Sequence, residues 1–264
     1  MGGKPPLVLI VSGLDPTGSA GLLSDIRAAA ASRVRIAPII AATTIQNRNG
    51  MFGFHAIPAD FLKNQLDVLI KDSKPNAMKI GVIGSGDNAA MLAEYLETMP
   101  EMPVVIDPVW KASQGGCFAN DALKQIYLED LFKHAHIITP NIPELDWLIG
   151  ISDHRLRTIE KAGKQLLRTG CKSVLIKGGH LPDRLVDILL MKDRSLKLQG
   201  VRFKTNVRGT GCHLSTFLAA QLAYGKSIET AVRRARNFVR KLFTNYVAAG
   251  MNVQPVRYME RSES

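Results

Sequence analysis

The sequence predicts an α/β fold: a mostly parallel central sheet with helices on both faces and an antiparallel hairpin at one edge. Three observations carry that reading. Short apolar runs rich in Val and Ile alternate with longer segments of helical period, the pattern of parallel strands joined by crossover helices. The alternation breaks between 178 and 206, where two strand-like runs are separated only by K-D-R-S, too short a connection for a crossover. No repeat, low-complexity tract or linker-like stretch divides the 264 residues, so 1–264 is read as one domain around one core.

In chain order the strands fall at L-V-L-I-V (7–11), A-P-I-I-A-A (37–42), A-M-K-I-G (77–81), P-V-V-I-D (103–107), H-I-I-T (136–139) and S-V-L-I-K (173–177). Helical period fits 19–32, 59–72, 86–98, 119–132, 142–149, 156–169, 211–224 and 227–246. The edge hairpin pairs V-D-I-L-L-M with L-K-L-Q-G-V-R-F. One irregular segment, Q-N-R-N-G-M-F-G-F-H (46–55), carries two glycines beside Met51, Phe52 and Phe54. It reads either as a flap over a substrate or as a loop tucked onto the core.

Composition excludes several classes. No run approaches the ~18 apolar residues that cross a bilayer. The first apolar run is short, leads into Asp15 and lacks a cleavage pattern, so it reads as a strand and not as a secretion signal. Pro6 stands where a myristoylation motif wants Ser or Thr. Cys117, Cys171 and Cys212 are far apart and odd in number, which argues against a disulfide framework or a zinc site and for a reducing, cytoplasmic setting. The net charge of +11 raises nucleic acid as a partner, yet aromatics are 6% and no nucleic-acid module is visible, so none is expected. The basic stretch A-V-R-R-A-R-N-F-V-R-K-L-F reads as a solvated face of an amphipathic helix, with an anion- or partner-binding patch as the alternative.

Distinctive polar residues follow directly on the apolar runs: S-G-L-D-P-T-G-S-A-G after the first, D-P-V-W after the fourth, T-P-N-I-P-E after the fifth and K-G-G-H after the sixth. In open α/β sheets ligands bind beyond the carboxyl ends of the strands, so these segments are expected to converge on one cleft. Gly13, Gly18 and Gly21 suit close approach of backbone amides to an anion or a flat ring, but match neither a Walker loop nor a dinucleotide fingerprint. Asp25, a turn into the next helix, is either a surface charge or a holder of a substrate hydroxyl. Lys177 at a strand end beside two glycines either suits a phosphate oxygen or is a strand-end lysine in solvent. Asn141 and Glu144 form either a helix cap or part of a site for hydrated Mg²⁺, with Asp107 as a further carboxylate.

The stretch N-V-R-G-T-G-C-H (206–213) opens a helix, so the amides of Gly209, Thr210, Gly211 and Cys212 are expected to form an anion cradle. A thiol there feels the positive end of the helix dipole, which is expected to lower its pKa. Cys212 reads as a buried small hydrophobe, a redox thiol or a general base, and the last completes a parts list for phosphoryl transfer.

Taken in order and spacing, G-L-D-P-T-G-S-A-G-x-x-x-D, Q-N, M-K-I-G, V-I-D-P-V, T-P-N-x-P-E, K-G-G-H and G-T-G-C resemble the hydroxymethylpyrimidine/phosphomethylpyrimidine kinases of thiamine synthesis, over about residues 7–247. The resemblance implies a ribokinase-like three-layer α/β/α sandwich, ATP and Mg²⁺ as cofactors, and two successive phosphorylations of 4-amino-5-hydroxymethyl-2-methylpyrimidine. It implies Cys212 as base with Gly209, Thr210, Gly211 and Lys177 in the catalytic centre. Gly13, Ala20, Asp25, Thr44, Gln46 and Val82 would meet the pyrimidine. Lys177, Asn141, Glu144 and Gly211 would serve the triphosphate, Asp107 and Glu144 the metal, and a cytoplasmic homodimer is expected.

Several positions depart from the family's habit: Arg208 for His, His213 for Ser or Thr, Arg48 for Thr, Ser19 for Gly, and Val82 and Trp110 where Met is common. Arg208 and Arg48 read either as contacts to an already phosphorylated substrate, favouring the second step, or as solvated charges. His213 reads either as a neighbour that titrates near neutrality and perturbs Cys212 or as a helix-surface residue. Alternative readings are a pyridoxal-type kinase and a phosphopyrimidine-binding protein that has lost turnover.

Overall fold

The computed structural model describes residues 4–47, 49–112, 115–180, 185–200 and 208–248. Among the described residues nine strands form one sheet in the order β3-β2-β1-β4-β5-β6-β7-β8-β9. The strands are β1 (Leu7–Leu14), β2 (Arg35–Gln46), β3 (Met51–Ala56), β4 (Ala77–Ile80), β5 (Val104–Ile106), β6 (Ile137–Ile138), β7 (Ser173–Ile176), β8 (Leu185–Met191) and β9 (Ser195–Gly200). From β2 to β7 every neighbouring pair is parallel. β3 runs antiparallel to β2, as β8 does to β7 and β9 to β8.

The helices are α1 (Gly21–Ala31), α2 (Ala59–Asp72), α3 (Gly86–Glu97), α4 (Asp121–Ile126), α5 (Ile142–Ile149), α6 (Leu156–Leu167), α7 (Thr210–Ala223) and α8 (Ile228–Ala248). The period of two along β1 divides them between the faces. Leu7, Leu9 and Val11 join one core with α2 to α6, while Val8 and Ile10 join a second core with α1, α7 and α8. A sheet buried on both faces reads as continuous apolar runs, which is why its strands stand out in the sequence.

Two expectations need correction. Segment 46–55 is neither loop nor simple flap: β2 continues to Gln46 and turns back as β3, giving the sheet a second antiparallel edge. Met51 and Phe54 pack with Val82, Val109, Ala112 and Phe118, the Phe54 and Phe118 rings meeting edge-on at 5.5 Å. The helix expected over 119–132 is α4 followed by a widened π turn at Tyr127–Leu131 and a tight turn at Phe132–His134. Those irregular turns bury Tyr127, Leu131 and Phe132 together, whereas a regular helix would swing Phe132 about 100° from Leu131 and about 140° from Tyr127. In the far hairpin, residues 201–203 lie outside the described residues. No described helix is long and apolar enough to cross a membrane.

Candidate active site

The carboxyl ends of β1, β4, β5 and β7 and the start of α7 border a cleft of about 1470 Å³. At one end lie Gly13, Ala20, Thr44, Gln46 and Val82. The sheet slips register between Ser12 and Gly13, and a methyl group on Gly13 would come within 3.1 Å of Val82 Cβ, so the loop seats directly on that wall. Thr44 Oγ1 donates to Leu14 O at 3.0 Å and to Gln46 Oε1 at 3.3 Å, fixing the amide of Gln46. Trp110 lines the cleft farther along, stacked on Trp147 with centroids 5.7 Å apart.

The floor is polar. Lys177 Nζ lies 2.7 Å from Asp107 Oδ1 and 3.6 Å from Glu144 Oε2. Thr139 Oγ1 donates to Asp107 Oδ1 at 2.9 Å, and Ser215 Oγ to Oδ2 at 3.4 Å. Asn141 and Glu144 form a full capping box for α5, so the cap and a place in the cleft are one arrangement. Burial pushes the Asp107 carboxyl up, but Lys177 and Lys79 outweigh it and hold the group below its usual range. Glu144 goes the other way, to about 7, because burial, helped by Asp107, outweighs Lys177 and the cap. Burial disfavours the Lys177 ammonium, yet Asp107 and Glu144 raise its pKa.

Gly209 caps α7 in the left-handed conformation, φ 74°. A Cβ there would meet Ser19 O at 2.4 Å, so both its conformation and its contacts require glycine. A Cβ on Gly211 would lie 3.4 Å from Lys177 Nζ and 3.5 Å from Asp107 Oδ2, which sets the amides of the first turn against the charged floor. Cys212 sits in that turn, partly open to the cleft. The expectation of a lowered thiol pKa is overturned. Burial pushes it up to about 12, Asp25 adds to the rise, and Lys79 opposes it, so desolvation beats the helix end.

Asp25 is wholly buried and does not line the cleft. Its carboxylate binds Lys79 Nζ at 2.9 and 2.8 Å and accepts from Thr216 Oγ1 at 2.7 Å. Lys79 as the partner of Asp25 escaped sequence reasoning; the available signal was a lysine inside a strand otherwise made of buried apolar side chains. A methyl on Gly81 would approach Lys79 Nζ to 2.6 Å, so that glycine keeps room for the ammonium.

His213 is buried, not on the helix surface. Its Nδ1 donates to Gly209 O at 2.8 Å, and burial lowers its pKa, so it stays neutral instead of titrating near pH 7. The folded-state pKa thus lies below the unfolded value of 6.5. Stability from this group is present above 6.5 and lost as pH falls below it, where the unfolded chain takes the proton more readily. His213→Asn, which keeps a donor for Gly209 O, is expected to lose less stability on acidification, read as urea midpoints at pH 7.5 and 5.5.

Arg208 lines the cleft with its guanidinium 3.9 Å from nearly buried Asp15, while Arg48 lies outside the described residues. The basic face of α8 is not all solvated: Arg233, Arg236 and Arg240 border the cleft. Arg236 is tied to Asp187 at 2.6 Å and to Leu198 O at 2.7 Å.

The site combines an amide cradle, a lysine, paired carboxylates and a thiol at the carboxyl edge of a parallel sheet, and the family model for phosphomethylpyrimidine kinase matches residues 15–257. The chain belongs to that family. A hydroxymethylpyrimidine/phosphomethylpyrimidine kinase of Haemophilus influenzae is 32% identical over 257 residues, covering 95% of this chain and 96% of that protein. A probable thiamine biosynthetic bifunctional enzyme of Oryza sativa subsp. japonica is 33% identical over 89% of this chain, which spans only 43% of that longer protein. Among solved structures, the phosphomethylpyrimidine kinase of Clostridium difficile superposes with a TM-score of 0.79 at 30% identity, covering 90% of this chain and 99% of that one. The pyridoxal kinase of Staphylococcus aureus, solved with pyridoxal, gives 0.84 at 25% identity, over 92% of this chain and 89% of that one. The ribokinase-like architecture and the phosphotransferase class expected from the motifs therefore hold.

Proposed function

We propose that this phosphomethylpyrimidine kinase family member transfers the γ-phosphoryl group of ATP first to the hydroxymethyl oxygen of a 4-aminopyrimidine and then to the phosphate it has made. The observation that carries this reading is the cradle of Gly209, Thr210, Gly211 and Cys212 set against Lys177 and Asp107. In each step the attacking oxygen bonds to the γ-phosphorus and the bond to the β–γ bridging oxygen breaks. The amides and Lys177 stabilise the transferring group. In the first step the alcohol's proton goes to the Cys212 sulfur, which accepts it only as thiolate. Gly13, Ala20, Thr44, Gln46 and Val82 form the pyrimidine end, and Asp25 acts on the site from beneath the floor.

Mg²⁺ fits the donor set. Asp107 and Glu144 offer hard oxygen ligands beside the cradle, and no group of three or more His, Cys, Asp or Glu among the described residues would cage a metal without help from substrate phosphates. When bound, the ion supplies charge neutralisation of those phosphates. Asn141, as the cap that holds Glu144, keeps the carboxylate in place. A homodimer is part of the proposal, supported by Ile45 and Phe52 on the β2–β3 edge, each 69% exposed. So is a cytoplasmic location, supported by three cysteines with no pairing pattern. Arg208, a second cation at the cradle, favours a substrate that already carries phosphate.

ADP release from Mg-ATP with the pyrimidine alcohol, its monophosphate and pyridoxine side by side tests the reading. Turnover on both pyrimidines well above pyridoxine is expected. Pyridoxine as the best substrate would transfer the assignment to the pyridoxal type, and ligand-dependent thermal stabilisation without ADP would leave only a binding protein.

A further inference from the structure

Two helices meet in register beneath Cys212. On α1, Gly21 and Asp25 are one turn apart and share a face; on α7, Cys212 and Thr216 do the same. The Gly21 backbone favours the thiolate form of Cys212, and at the second rung, one turn deeper, Thr216 Oγ1 donates to Asp25 at 2.7 Å. Below that second rung lies Lys79 from β4, fully buried with Asp25, its ammonium bonded to both carboxylate oxygens and 3.5 Å from Ser12 Oγ. A buried ion pair costs desolvation energy that well-packed apolar side chains would avoid, so its presence here asks for another reason. Lys79 also reaches the cleft floor, where Gly81 leaves it space.

We propose that Lys79 and Asp25 are positioning residues that set the charge state of Cys212 from beneath: Lys79 is the counter-cation of the thiolate during proton transfer, and Asp25 holds that cation in place while limiting its pull. The charged groups facing the sulfur bear this division out in sign. Burial pushes the thiol up most, Asp25 and Asp107 add to the rise, Lys79 and the Gly21 backbone pull it down, and Lys177 feels the same sulfur. Cys212 returns the effect by raising the Lys79 pKa, behind the larger influences of burial and Asp25. The inference rests on Cys212 as base and names what lets a thiol so deeply set take that part.

The test uses the two variants that break the same ion pair. In a Cys117→Ser background, which removes the exposed thiol, the rate of Cys212 alkylation by iodoacetamide is followed from pH 7 to 10.5. Asp25→Asn is expected to speed alkylation at pH 9 at least threefold and Lys79→Met to slow it at least threefold. The double variant, neutral at both positions, returns towards the starting rate. A merely structural pair predicts that both single variants loosen the floor and move the rate in one direction, which would overturn the proposal. If Lys79→Met does not fold, the double variant set against Asp25→Asn keeps the test alive, since adding Lys79→Met must then undo the acceleration. Alkylation needs no turnover, so a chain inactive on pyrimidines would sink the kinase reading without deciding this one.

Discussion

Cys212→Ala is expected to lower turnover on the pyrimidine alcohol by about 10²- to 10⁴-fold, the usual worth of a positioned general base, with little change in KM for ATP. The same substitution should cost far less on the monophosphate. An alcohol must lose its proton as it attacks, whereas a phosphate monoester has its second pKa near ~6 and is already a dianion at pH 8, with an oxygen that needs no base. The ratio of the two activities therefore isolates the proton transfer from the cradle, which serves both steps. Equal losses on the two substrates would show that Cys212 acts through packing or through the amides of its turn.

The raised thiol pKa adds a pH signature. With the sulfur pushed up to about 12, the thiolate is a minor form at neutral pH, so the first step should climb about tenfold per pH unit between 7.5 and 9. Cys212→Asp, which puts a carboxylate base at the same position, should retain more activity than Cys212→Ala and flatten the climb. A flat wild-type profile over those pH values, with chemistry rate-limiting, would remove Cys212 from the role of base.

What was legible in the sequence follows from distance along the chain. The strand ends were readable because each polar cluster adjoins its own apolar run, and the parallel sheet carries them to one edge. Lys177 and Asp107 are 70 residues apart and still fall together by that rule alone. Lys79 was unread because its partner Asp25 lies 54 residues away on a helix, and nothing local distinguishes a paired buried lysine from one that snorkels out. The sign of the Cys212 shift failed for the same reason. The helix end is local and visible, but the burial that outweighs it depends on packing with segments far along the chain, such as α1, whose Asp25 meets Thr216 of α7 across 191 residues. β3 was missed because an edge strand has only one neighbour, and its sequence shows solvent-facing Phe52 and His55 in place of an unbroken apolar run.

Arg208→Gln is expected to lower kcat/KM for the monophosphate about 10- to 100-fold more than for the alcohol, mostly through KM. The residue directly precedes Gly209, and its guanidinium approaches Asp15 in the loop that holds the pyrimidine end, so it spans the junction where the substrate's reacting arm must lie. A monophosphate brings two further negative charges to that junction, already bordered by Asp15 and Asp107. Lys177 is paired with Asp107 and Glu144 on the floor, while Arg208 is a cation on the side of Asp15 and the pyrimidine end. A guanidinium presents five donors in a planar fork that matches a phosphate, and a charge-assisted contact of that kind is worth roughly 10- to 100-fold in affinity. Arg208→Lys should recover part of the loss as a point charge without the fork. Equilibrium binding of both pyrimidines, measured without ATP, separates substrate recognition from catalysis. If Arg208→Gln weakens ATP instead, or both pyrimidines alike, the guanidinium serves the nucleotide or the loop, and preference for the second phosphorylation has another origin.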